Sequence, residues 1–151
     1  MIELYICGLP VAQPRVKARS FKSKSGKMQT SVYTPGTASD WKEQIVLAVR
    51  ATGIPPVWSV DGPISISIAF EFERPKSHWR TGKNAHLLRD DAPKVWHAQK
   101  ADLDNLTKAV MDAISNAGGI WRDDAQVSVA VLSKRWSLIS GATITIARAE
   151  E

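Results

Sequence analysis

The sequence predicts an α+β domain in which two main helices lie on one face of a mixed, mostly antiparallel sheet of about four strands. Apolar residues alternate in four short segments and recur with helical spacing in two others. The elements follow the order strand, helix, strand, helix, strand, strand, and strands buried on both faces would instead be continuous apolar runs. At 151 residues the chain is long enough for one core, so we expect a single domain over 1–151.

The first half of the chain predicts one strand and one helix. Ile2, Leu4 and Ile6 alternate with polar neighbours until Gly8, the pattern of a half-buried strand. Thr37 and Asp40 resemble a capping box that opens a helix ending at Gly53. The apolar stripe of this helix consists of Trp41, Ile45, Ala48, Val49 and Thr52.

The second half predicts three strands and a second helix. Residues 64–73 alternate between apolar and polar side chains, and Val127, Val129 and Val131 begin another strand. A last strand over 142–146 follows a turn near 140–141. The second helix begins at an acidic motif and ends at Gly118-Gly119, with a stripe formed by Leu106, Ala109, Val110, Ala113, Ile114 and Ala117.

Two basic segments lack any regular period and are predicted as loops over about 13–31 and 74–101, the first of them a mobile loop or a loose hairpin. No acidic residue occurs between Glu3 and Asp40, and the net charge of +5 favours attraction to polyanions. A long connection in a compact domain is usually functional or disordered. The predicted DNA-binding residues are Arg15, Lys17, Arg19, Lys76, Arg80, Lys83, Lys100 and Lys108.

Asp102 and Asp104 stand two residues apart at the start of the second helix, where both carboxylates can point to one side. Their mutual repulsion is relieved by a hard divalent cation, and Mg²⁺ prefers oxygen ligands. Lys108 lies one turn further along the same helical face and can meet a phosphate. Asp123-Asp124, before the next strand, can supply a further ligand. These residue types suit metal-assisted phosphodiester hydrolysis, in which activated water is the nucleophile.

Each of these features also has a structural explanation. Asp104 and Lys108 can form an ordinary ion pair, Asp102 or Asp104 can cap the helix, and Asp123-Asp124 can be turn residues. The basic loops can be solvated surface.

The aromatic residues of the chain also leave alternatives open. The six tryptophans are expected mainly in the core, although Trp79 and Trp96 can stack on bases. His78, His86 and His97 match no regular zinc spacing, so we do not expect a second metal site there.

The order KADLDNLTKAVMDAI, then AGGIWRDDAQV, then a strand, resembles the RusA family of Holliday-junction resolvases of bacteria and their phages. The family pattern falls on Asp102, Asp104-Asn105, Lys108, Asp112-Ala113 and Asp123-Asp124-Ala125-Gln126-Val127. Gln13-Pro14-Arg15 and Tyr33-Thr34-Pro35 are similar to a phage-type variant. The chain departs from compact members in its long 74–101 segment and in lacking a dense arginine run before Asp102.

The resemblance implies a Mg²⁺-dependent endonuclease, with Mn²⁺ as the alternative ion, that makes paired nicks in four-way DNA junctions. It implies that Asp102, Asp104 and Asp124 are metal ligands and catalytic residues together with Lys108, while Asp123 stays open as the third acid. It also implies a homodimer, since two symmetric nicks require two sites related by a two-fold axis. No small-molecule cofactor is expected.

The compartment and the other class of function are also predicted. One cysteine, no basic leader and no long apolar run favour a cytoplasmic protein with no membrane association. The resemblance implies that it is encoded by a bacterium or by a phage in its host. The alternative function is a non-catalytic DNA-binding accessory protein of recombination. It predicts salt-sensitive DNA binding without cleavage.

Overall fold

The computed structural model describes residues 1–14, 17–22, 26–33, 38–53 and 61–150, and these confirm the predicted α+β architecture. The strands and helices in chain order are β1 Ile2–Cys7, β2 Lys17–Lys22, β3 Met28–Tyr33, α1 Ser39–Ala51, β4 Ile64–Glu73, α2 Leu103–Ala117, β5 Val127–Ser137 and β6 Gly141–Arg148. Strands β1, β6, β4 and β5 form the main sheet in that order. The β1–β6 and β6–β4 pairs are antiparallel and the β4–β5 pair is parallel, so the sheet is mixed and mostly antiparallel, as predicted.

One core lies between the helices and the sheet. Every second residue of β4, from Ile64 to Phe72, is buried, and the alternating residues of β1 and β6 are buried with them. Helix α1 contributes Trp41, Ile45 and Val49, as its stripe predicts, whereas Thr52 is exposed. Helix α2 ends at Gly118, whose φ of 74° is a left-handed conformation that favours glycine.

The start of α1 differs from the prediction, and the first basic segment takes the hairpin form, one of the two predicted for it. The N-cap of α1 is Ala38, which makes no side-chain capping bond, and the predicted cap Thr37 lies outside the described residues. The segment over 13–31, predicted as a mobile loop or a loose hairpin, is a hairpin: strands β2 and β3 pair antiparallel, apart from the main sheet, with Lys17 opposite Tyr33. Its charged and polar residues do not alternate with apolar ones, so the sequence carries no period-2 signal there.

A short turn joins the last two strands, as predicted, but they are not neighbours in the sheet. Strand β4 lies between β5 and β6, so the turn before Gly141 joins strands that are not neighbours. Because β5 extends to Ser137, only residues 138–140 cross the end of β4, where the Ser140 hydroxyl accepts a hydrogen bond from the Glu73 amide at 3.0 Å. Val129 and Val131 pair with Ser65 and Ser67 on the side away from the core and are exposed.

Candidate active site

The acid pair stands at the exposed beginning of α2. Asp102 is the N-cap residue, yet its side chain makes no capping hydrogen bond. Asp104 lies in the first turn, and both residues are exposed. Among the described residues Asp104 and Lys108 form no salt bridge with each other, although both belong to the same helical face. In this described part of the chain, neither a side-chain cap by Asp102 nor an ion pair between Asp104 and Lys108 is therefore formed.

The segment before Asp102 is fixed to the sheet by Lys134 of β5. The ammonium group donates to the carbonyl oxygens of Gln99, at 2.8 Å, and of Ala101, at 2.6 Å. Two backbone carbonyls immediately upstream of the acid pair are thus held by one partly buried cation. No local pattern in the sequence could predict this contact, because Lys134 lies 33 residues from Ala101.

The N-terminal basic segment begins beside the same end of α2. The Gln13 amide donates to the Asn105 carbonyl at 2.9 Å, which brings residues 13 and 14 to the first turn of the helix. The β2–β3 hairpin starts at Lys17, four residues later. Lys17 and Arg19 lie on β2, but their side chains are outside the described part of the chain. The whole of Arg15 is outside it as well. Their predicted DNA contacts stay predictions.

The acidic doublet divides into two different environments. Asp123 caps the short 3₁₀ turn Asp124–Gln126: its carboxylate accepts from the Ala125 amide at 2.8 Å, and the Gln126 side chain closes the capping box. The structural explanation is therefore correct for Asp123. Asp124 is exposed and, within the described residues, makes no side-chain hydrogen bond or ion pair. This difference favours Asp124 as the acid available to a ligand.

Asp124 opens onto a cleft of about 350 Å³ at the opposite end of α2 from the acid pair. The cleft is lined by Lys42, Asp112, Ser115, Asn116, Arg122, Asp123 and Asp124. Lys42 of α1 and Asp112 of α2 form a salt bridge of 3.1 Å within it. Ser115 and Asn116 belong to the last turn of the helix, so Asp124 lies beside the C-terminal end of α2.

The three predicted metal ligands are therefore not assembled within one chain. Asp102 and Asp104 lie at the beginning of a 15-residue helix, which is about 22 Å long at about 1.5 Å per residue, and Asp124 lies near its end. Over the described ranges no group of three or more His, Cys, Asp or Glu residues is placed to hold a metal ion. The role of these acids as metal ligands stays a prediction.

The long segment 74–101 is ordered by its own arginines. The Arg74 guanidinium donates to the carbonyls of Pro93, at 2.6 Å, and Lys94. Arg80 forms a 2.7 Å salt bridge with Asp90, and Arg89 forms one of 3.0 Å with Asp91. The hydrogen bond and charge of Arg89 lower the pKa of Asp91. The predicted DNA ligand Arg80 thus has an internal partner.

The lysines of this segment differ from its arginines. Lys76, Lys83 and Lys100 are exposed and have no salt-bridge partner among the described residues. The same is true of Lys108 on α2. These four predicted DNA ligands therefore have side chains that a phosphate can reach.

Two of the three histidines belong to an aromatic cluster. His97 is buried and stacks on Phe72, with ring centroids 4.1 Å apart, and its ring lies 4.3 Å from that of Trp136. The rings of His78 and Trp136 form a T-shaped pair with centroids 4.7 Å apart. Burial, and then the positive charge of Lys134, lower the pKa of His97. These contacts attach the long segment to the sheet, while Trp96 next to His97 is exposed.

Comparison with known proteins identifies the family. In the part of the chain that the structure describes, no helix combines the length and apolar character needed to cross a membrane. A search among curated proteins finds no match. Residues 8–147 match the family described as Endodeoxyribonuclease RusA, which is nearly the whole chain and includes both ends of α2. The chain therefore belongs to the RusA endodeoxyribonuclease family.

Proposed function

We propose that this endodeoxyribonuclease resolves four-way DNA junctions by paired symmetric nicks and depends on Mg²⁺, with Mn²⁺ as an alternative ion. The observation that carries the proposal is the exposed start of α2, where Asp104 and Lys108 share a face without pairing. The family acts on branched DNA junctions, which supports a four-way junction as the substrate.

The residues at the start of α2 fit a hard divalent cation. Mg²⁺ is usually held by one or two carboxylates and completes its coordination shell with water and substrate phosphate, and Asp102 and Asp104 offer such carboxylates at the surface. When bound, the ion supplies Lewis acidity toward the phosphodiester and activates water. Lys108 supplies a positive charge one turn away, which stabilises the charge that develops on the phosphate. Lys134 orients the backbone that carries Asp102.

A second copy of the chain can bring Asp124 to the acid pair. Helix α2 and strand β5 run in opposite directions, since Lys134 near the end of β5 contacts the residue before Asp102, whereas the turn leading into β5 lies beside the last turn of α2. Strand β5 is an edge of the sheet, and residues 95–97 pair with its end around Arg135. Its first half remains available for pairing within the described part of the fold.

Antiparallel pairing of two β5 edges about a two-fold axis places the beginning of one α2 near the end of the other. Asp124 of the second copy then approaches Asp102 and Asp104 of the first, and two equivalent sites result. Val129 and Val131, 47% and 63% exposed, are the exposed large apolar residues of this half of β5. The same two-fold axis relates two nicks in opposed strands, as junction resolution requires.

The proposed metal-dependent cleavage is tested with a synthetic four-way DNA junction. We expect the purified protein to cut it in Mg²⁺ or Mn²⁺, to stop when the metal is chelated, and to leave linear duplex intact. Asp104→Asn is expected to abolish cutting while junction affinity is retained or increased, because anionic repulsion of DNA is removed. Binding without cleavage at every metal and salt concentration would instead support the DNA-binding accessory function.

The shared site is tested by mixing two inactive variants. In a heterodimer of Asp104→Asn and Asp124→Asn chains, one site keeps both native acids only if Asp124 acts on its partner's site. We expect the mixture to recover nicking of one strand per junction, whereas each variant alone is inactive. If both variants are inactive alone and their mixed dimers recover nothing, each site uses its own Asp124. An Asp124→Asn protein that cuts like wild type would show that Asp124 has no role.

A further inference from the structure

We infer that an apolar pocket beside the acid pair binds one unstacked base of the DNA substrate. The pocket has a volume of about 390 Å³, in the range of roughly 300–1,000 Å³ that is usual for small-ligand sites. Its lining includes the buried rings of Phe72, His97 and Trp136, together with the exposed side chains of Leu9 and Gln99. This inference rests on the proposed cleavage of DNA.

The pocket is connected to the acid pair by two short stretches of chain. Gln99 precedes Asp102 by three residues, which span at most about 11 Å, and its carbonyl is one of the two held by Lys134. On the other side, the chain runs from Leu9 to Gln13, whose amide contacts Asn105 in the first turn of α2. A strand with a phosphate at Asp102 therefore passes close enough to place a neighbouring base in the pocket.

The chemistry of the lining fits a base better than a phosphate. No lysine or arginine lines the pocket among the residues that the structure describes there, and the carboxylate of Glu73 repels phosphate. Glu73 can accept a hydrogen bond from a base N–H group, and the Gln99 amide can both donate and accept. Aromatic and apolar walls suit the flat surface that every base presents.

A buried hydrogen-bond donor next to the pocket also favours a base as the ligand. The indole N–H of Trp136 has no hydrogen-bond partner in the described part of the chain, and such a group is normally satisfied. An acceptor on a base edge that enters the pocket and reaches this N–H would satisfy it. Bases near a branch point leave the stack at a lower cost than paired bases within a duplex, so a four-way junction can supply an unstacked base to the pocket.

The test replaces single bases of the junction by abasic nucleotides around the mapped cut. Affinity is measured without divalent metal, so that the strands stay intact. At one position we expect the abasic nucleotide to weaken binding by the wild-type protein about tenfold, the effect of losing one stacked base. For the double variant Leu9→Ala/Gln99→Ala, we expect weaker binding of the intact junction and little further loss from the abasic nucleotide.

Asn84→Ala/Leu87→Ala is the matched control, because both residues are exposed on the 74–101 segment and neither lines this pocket. It should retain the full abasic effect. The inference is overturned if no abasic position weakens binding by the wild-type protein. It is also overturned if the abasic nucleotide weakens binding by the Leu9→Ala/Gln99→Ala variant as much as it weakens binding by the wild type. Metal-dependent cutting of the intact junction by the wild-type protein, measured separately, shows whether the proposed function holds independently of the pocket.

Discussion

At the scale of single residues, neighbouring acids of similar appearance have different structural roles. Asp123 uses its carboxylate to close a capping box, whereas Asp124 makes no such contact among the described residues. The sequence could not separate them, since two adjacent aspartates before a strand satisfy the turn explanation and the metal explanation equally. Their side-chain contacts separate them because a carboxylate engaged by a backbone amide is less available to a ligand.

We expect alanine substitutions to separate the two acids experimentally. Asp123→Ala should lower the free energy of unfolding by about 1 kcal/mol, the usual cost of losing a capping side chain, with cleavage largely retained. Asp124→Ala should leave the stability within about 0.5 kcal/mol of wild type, as for exposed substitutions, and abolish cleavage. Urea denaturation and a junction-cleavage assay measure the two effects. The reverse pattern would make Asp123 the functional acid.

His97 makes stability depend on pH. Its pKa is lowered in the folded protein by burial and by Lys134, whereas the unfolded chain titrates near the ordinary value of about 6.5. As the pH falls below that value, the unfolded chain binds a proton that the folded protein resists, so the free energy of unfolding decreases until the lowered pKa is reached. We expect urea midpoints to fall between about pH 7 and pH 5.

His97→Phe should reduce this pH dependence, because the aromatic contact with Phe72 remains while the titrating group is lost. His86→Phe, at an exposed position on the same segment, is the matched control and should keep the wild-type slope. Equal slopes for His97→Phe and wild type would show that other groups cause the dependence.

At the scale of elements, local periodicity predicted what local interactions determine. Strands β1, β4 and β6 and the buried stripe of α2 were predicted correctly because each alternates or repeats over its own length. The second half of β5 was not predicted, because the adjacent charged residues Lys134 and Arg135 interrupt the alternation of apolar and polar side chains. The order of strands in the sheet depends on long-range pairing, so no local pattern placed β4 between β5 and β6.

The position of the acid pair depends on a contact between two elements. Lys134 of β5 holds the carbonyls of Gln99 and Ala101, so Lys134→Met should loosen the entry to α2 without removing a group that touches the substrate. We expect kcat to fall at least tenfold with a small change in KM and in the circular dichroism spectrum, because misplacement of the site affects the chemical step more than binding. Lys134→Arg should recover part of kcat.

The control for this substitution is Lys94→Met, which removes an exposed lysine of the 74–101 segment that is not a predicted DNA ligand and has no salt-bridge partner among the described residues. It should leave kcat near the wild-type value. A loss of folded structure in Lys134→Met, or an equal loss of kcat in both variants, would contradict a positioning role for Lys134.

At the scale of the whole molecule, the proposed function links catalysis to assembly through the separation of the predicted acids along α2. One chain presents two of these acids at one end of the helix and one at the other, and the half of the β5 edge that no described residue pairs with offers a way to juxtapose them between copies. The sequence predicted a dimer only through its family resemblance, and it carried no information on which surface pairs. That information lies in the exposure of Val129 and Val131 on the edge strand β5.

Val131→Lys tests this assembly directly. A lysine on an edge strand opposes strand pairing, and Val131 is 63% exposed in the single chain, so we expect the melting temperature to change little. Analytical ultracentrifugation should show a dimer for the wild-type protein and a monomer for Val131→Lys, and junction cleavage should fall at least a hundredfold, because a monomer contains no complete site. Val95→Lys, at a 47% exposed valine of the long segment, is the matched control and should remain dimeric and active. A Val131→Lys protein that stays dimeric and cuts normally would exclude the β5 edge as the interface, and a monomer that cuts both strands would exclude the shared site.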